Sequence, residues 1–170
     1  MSEFSQRPPA DDPRDRSLTA GLAADHRAID GLFIEAQTAM EDGLPDGAHR
    51  ALDRIWMRLA VHIRAEHKVV FPALAQGQPD LQTALQALRE DHDFFMATLA
   101  TAVQGLRGPS PDLTSARAAM EAVQLRLTAH NALEEDRIYP EADRLPGAER
   151  TWIIREVARE LAFLPRRHEP

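Results

Sequence analysis

Four histidines and two glutamates are spaced along this chain so that helices would carry them on their inner faces. His26 stands alone and His62 is followed by Glu66; His92 stands alone and His130 is followed by Glu134. A His and a Glu four residues apart share one helix face, about 6 Å apart along the axis at ~1.5 Å per residue. Imidazole nitrogen together with carboxylate oxygen suits iron, manganese or zinc, and two carboxylates able to bridge suit a pair of ions. The chain has no cysteine, which excludes thiolate ligands, disulfides and Cys nucleophiles.

All six residues interrupt apolar stripes of helical period. His26 falls within Leu18, Leu22, Ile29, Phe33, Ala36 and Met40. His62 and Glu66 fall within Leu52, Ile55, Leu59 and Val70. His92 falls within Leu81, Leu85, Leu88, Phe95 and Leu99, and His130 with Glu134 within Ala116, Met120, Val123, Leu127 and Ile138. Burying an unpaired carboxylate or imidazole costs on the order of several kcal/mol, so such groups must be paired, neutralised or bound to metal. A divalent or trivalent cation meets that need for all six at once. One buried histidine, or one His-x-x-x-Glu, is commonplace and explained by packing; six on four stripes is not. The other histidines read as solvated: His67 is one step off its stripe, His49 is near a helix start, and His168 is in an Arg-rich tail.

The pattern is also doubled. Leu22-Ala-Ala-Asp25-His26 resembles Leu88-Arg-Glu-Asp91-His92, and His62 to Glu66 with Val70-Phe71-Pro72 resembles His130 to Glu134 with Ile138-Tyr139-Pro140. Each half is a helical hairpin carrying one His and then a His-x-x-x-Glu.

The elements that must position these residues follow from stop signals. Helices are expected over 17–41, ending at Asp42-Gly43-Leu44-Pro45; from Asp46 as N-cap to Phe71, before Pro72; from about Asp80 to Gly105; and from Asp112 to Tyr139, before Pro140. A shorter helix is expected over 147–164, with Trp152, Ile153, Val157, Leu161 and Leu164 on one face. No sustained period-two alternation reads as strand. The fold class is therefore all-α, an up-down-up-down four-helix bundle with an additional short C-terminal helix that either caps the bundle or makes a subunit contact. The domain spans 17–164, with polar tails over 1–16 and 165–170.

Lys and Arg total 20 against 27 Asp and Glu, a net charge of −7, which argues against a nucleic-acid partner. No apolar run is long enough for a membrane span, and the N-terminus lacks the apolar stretch of a secretory signal. A cytoplasmic protein is expected.

The order His, His-x-x-x-Glu, His, His-x-x-x-Glu, with Phe71-Pro72 and Tyr139-Pro140 after it, resembles the hemerythrin HHE cation-binding family over roughly residues 18–140. The resemblance implies a non-haem di-iron centre, with Mn or Zn as possible substitutes. His26 and His62 would hold one iron, His92 and His130 the other, and Glu66 and Glu134 would bridge them beside an oxo or hydroxo group. Oxygen-carrying hemerythrins have a further histidine four residues after the third-helix His. Met96 stands there, and the equivalent first-helix position is Asp30. The four-His, two-Glu set is similar to that of the RIC iron-centre-repair proteins, which carry a further Cys-containing N-terminal domain; with no cysteine here, that domain is not expected. The implied partners are O2, NO or peroxide, with a redox partner or a homodimer through the C-terminal helix. Four functions remain open: a binding or sensing protein, a di-iron oxidoreductase, an iron donor or ferritin-like oxidase, and a helical adaptor.

Overall fold

A computed structural model describes residues 17–163; the expected tails, Leu164 and His168 lie outside the described residues. The described chain is all-helical: α1 (Leu18–Glu41), α2 (Pro45–Ala65), α3 (Phe71–Gly77), α4 (Gln82–Gly105), α5 (Leu113–Leu133), α6 (Tyr139–Asp143) and α7 (Gly147–Ala162). Helix α1 packs on α2 and α5, and α4 packs on α5 and α2, so the four long helices form one helical bundle. No described helix is long and apolar enough to cross a membrane.

Local chemistry sets the helix ends. The Ser17 hydroxyl accepts from the Ala20 amide, and Asp143, far along the chain, accepts from the Leu18 amide at 2.7 Å and the Thr19 amide at 3.1 Å. Together they satisfy N–H groups that the first turn of α1 leaves unpaired. Gly43, with φ +66°, closes α1 in the left-handed region that a Cβ disfavours. Leu44, and not the expected Asp46, is the N-cap of α2, because Pro45 fits the first helical turn. Asp112 caps α5 through the Ser115 amide at 2.9 Å.

Two of the expected helix ends are displaced. Phe71-Pro72 and Tyr139-Pro140 do not stop their helices, which run on to Gly77 and Asp143. A π-helical turn precedes each, Glu66–Val70 and Glu134–Ile138. Phe71 N–H bonds back to the Glu66 carbonyl and Tyr139 N–H to that of Glu134. Each wider turn restarts the α-helix just before the proline, which then occupies a first turn where its missing N–H goes unneeded.

All residues of the four anticipated stripes are buried. They form two apolar clusters, one around Phe33, Leu52, Phe95 and Val123, the other around Leu22, Phe71, Leu88 and Tyr139. Between them lies the polar layer of His26, His62, Glu66, His92, His130 and Glu134. Helix α7 lays Ile153, Ile154 and Val157 into the second cluster, so its apolar face is covered within the chain, while Trp152 remains 45% exposed.

Candidate metal centre

The bundle brings all six sequence-derived residues into one layer between the apolar clusters. His26 Nε2 lies 3.1 Å from His62 Nε2, and His92 Nε2 lies 3.0 Å from His130 Nε2. The glutamates stand between these two pairs and divide their oxygens. Glu66 turns Oε1 to His62 at 3.6 Å and Oε2 to His92 at 3.3 Å. Glu134 turns Oε2 to His26 at 3.4 Å and Oε1 to His130 at 3.1 Å. His26, His62 and Glu134, and separately His92, His130 and Glu134, converge closely enough to hold a cation each.

Every ring has its other nitrogen occupied. His62 Nδ1 meets Asp25 at 2.8 Å, His130 Nδ1 meets Asp91 at 3.0 Å, and His26 Nδ1 meets Glu135 at 2.7 Å. Arg58 and Arg126 hold Asp25 and Asp91 in turn. An ionised carboxylate only accepts, so these three rings donate from Nδ1 and aim an Nε2 lone pair inward. That is the tautomer a metal-ligating histidine adopts when a carboxylate stands behind it. In the first pair, two lone pairs about 3 Å apart repel unless a proton or a metal cation lies between them.

The carboxylates make the same demand. Glu66 and Glu134 are fully buried, and Glu66 Oε2 and Glu134 Oε1 have no hydrogen-bond partner among the described residues. Burial opposes ionisation of Glu134, but the neighbouring His130 and His26 rings outweigh it and hold the carboxyl well below its usual range. Burial drives His92 down to about 3, against the pull of Glu66 and with the push of His130. A charged carboxylate beside a neutral imidazole calls for another positive group. The donor set therefore fits two cations.

Five contributors were missed in the sequence. Asp25, Asp91 and Glu135 orient rings, and Tyr139 donates to Glu66 at 2.5 Å while lying 2.9 Å from Glu134. Burial, and then the two carboxylates, push the Tyr139 phenol well above its ordinary value, so it stays a donor. His67, expected to be solvated, is half-buried within the π turn, with Nε2 2.9 Å from His92 Nδ1. The doubled Asp25-His26 and Asp91-His92 was the available signal. It was masked because each aspartate serves the histidine of the neighbouring helix and not the one beside it. His49 accepts from Arg107 at the surface. Met96 packs against the first apolar cluster, and Asp30 lines a groove outside His26.

Residues 17–142 match the family described as the hemerythrin HHE cation binding domain. No curated protein and no solved structure gives a significant match.

Proposed function

Because this chain belongs to the hemerythrin HHE cation-binding domain family, we propose that it is a non-haem di-iron protein that binds or reacts with O2, NO or peroxide. His26 and His62 would hold one iron, His92 and His130 the other, and Glu66 and Glu134 would span both. The observation that carries this reading is the division of each buried carboxylate between the two histidine pairs, with one oxygen of each glutamate otherwise unpartnered. When bound, the irons would supply a redox couple and exchangeable positions for a small ligand.

The chain's own residues supply orientation and exclusion of water. Asp25, Asp91 and Glu135 fix ring tautomers, Tyr139 donates a hydrogen bond to Glu66 beside Glu134, and the apolar clusters seal the layer on either side. We take the four long helices as an up-down-up-down bundle within a domain spanning 17–164, acting in the cytoplasm with a separate electron donor.

Metal analysis and an optical spectrum of protein made in iron-replete cells test the reading. About two irons per chain, retained through dialysis, are expected from the stoichiometry of di-iron carboxylate bundles. Iron that dialyses away would favour an iron-donor role, and one tight zinc without iron would defeat the proposal.

A further inference from the structure

The polar layer surrounds a space of about 10 Å³ lined by five of the six proposed metal ligands, so with cations bound a small ligand would reach them from its edge. Its apolar wall includes Ile29, Leu59, Ile63 and Leu127. Apart from the proposed metal ligands, Asn131 is the one polar residue lining it. Outside, a groove of about 520 Å³ between α1 and α5 reaches His26, Leu127 and Asn131, which line both spaces. Asn131 thus stands between the solvent groove and the inner space.

Two observations set this amide apart from packing. Its Oδ1 is buried with no hydrogen-bond partner among the described residues, a condition that costs on the order of 1–3 kcal/mol. The equivalent position of the first repeat, directly after His62, is Ile63, which lines the same inner space. A branched apolar side chain therefore fits that place in the fold, and packing gives no reason for an amide.

We propose, resting on the di-iron reading above, that Asn131 is a specificity-determining residue that selects a proton-bearing ligand, peroxide, over O2 and NO. Oδ1 is an acceptor and lacks a donor. Hydrogen peroxide brings an O–H to it, whereas O2 and NO bring none. Entry is through the α1/α5 groove beside His26. The opposite pair is roofed instead by aromatic rings, with Phe71 stacked 5.9 Å from His92 and Phe95 edge-on 5.1 Å from His130.

The test compares iron-loaded wild type with Asn131→Leu and Asn131→Ser. Peroxide is mixed with the diferrous protein; each ferrous ion gives one electron, and H2O2 takes two electrons and two protons to leave two waters. NO affinity of the same diferrous proteins is titrated as a readout independent of turnover. Asn131→Leu should keep its iron and its NO affinity while its second-order rate with peroxide falls about tenfold, the effect of one net hydrogen bond. Asn131→Ser, whose hydroxyl can also accept a hydrogen bond, should recover part of that loss. An unchanged peroxide rate, or an equal fall for both ligands, overturns the proposal. Iron loss in both variants with melting temperature unchanged overturns it too, by assigning Asn131 to metal ligation. Wild-type protein that takes up no iron defeats the di-iron reading itself, a separate outcome from any of these.

Discussion

Replacing Glu66 with Gln should stabilise the metal-free protein and abolish its stabilisation by iron. Glu66 is fully buried, and its Oε2 faces His92 Nε2 at 3.3 Å without a hydrogen-bond partner. An amide at that position carries no charge to leave uncompensated, and its oxygen keeps the Tyr139 hydrogen bond seen at 2.5 Å. Removing one unsatisfied buried acceptor is worth about 1–3 kcal/mol. For a chain of this size each kcal/mol moves the melting temperature by about 2–4 °C, so metal-free Glu66→Gln should melt roughly 2–12 °C above wild type. Mildly alkaline buffer is the right condition, because neutral imidazoles then leave the carboxylates least compensated. In the wild type, iron at about 100 times its dissociation constant adds about 2.7 kcal/mol. The variant should lose most of that gain, since a neutral amide bridges ions poorly. Calorimetric melts of both proteins, with and without iron, read the two effects separately. A metal-free variant melting at or below wild type while still gaining stability from iron would refute the argument.

Three further outcomes are expected. Asp25→Asn should weaken iron binding about 10- to 100-fold in a chelator competition, and Asp91→Asn should do so less, because the Asp25 side chain is 2% exposed and that of Asp91 19%; equal effects would contradict the burial argument. Asp143→Ala should cost about 1–2 kcal/mol by uncapping α1, read by denaturant melts. Burial opposes ionisation of Asp143, but Ser17, Thr19 and the Leu18 amide hold its carboxyl below the ordinary 3.8; its stabilisation is therefore full above that value and lost as pH falls through the lower folded-state value, and the variant should converge on wild type in acid. Met96 packs on the apolar cluster, so diferrous wild type should react irreversibly with O2, and Met96→His should lengthen the life of any oxygenated form; a wild-type adduct that releases O2 under vacuum would overturn this.

The six inward residues could be read from sequence because helical period is a local property: each lies three or four steps from apolar neighbours that are buried with it. What surrounds them depends on contacts between helices. Asp25 serves His62 and Asp91 serves His130, pairings that no spacing within one helix reveals. The prolines misled for a related reason. Pro72 and Pro140 end ordinary helices, but a π turn precedes each and places the proline in the first turn of a new α-helical segment. His67 lies within one of those turns and Tyr139 directly follows the other.

The doubled pattern also bears on which half of the centre meets its ligand. Arg58, His62 and Glu66 correspond to Arg126, His130 and Glu134, and both arginines hold the aspartate behind a histidine. These shared positions are the ones that would hold metal, and they treat the two pairs alike. Among the positions that differ near the layer are Ile63 against Asn131, His67 against Glu135, and Phe71 against Tyr139. Glu135 contacts His26, and the Tyr139 hydroxyl lies 3.3 Å from Nε2 of both His26 and His62. Asn131 lines the groove beside His26. The second repeat thus directs its polar departures at the first histidine pair, whereas His67 and Phe71 of the first repeat close over His92. On the proposed reading, a pair given hydrogen-bonding groups beside a solvent groove would exchange ligands more readily than a pair roofed by rings. The symmetry of the repeat therefore suits the binding of two ions, and on the proposed di-iron reading its breaking would place ligand exchange on the His26 and His62 side.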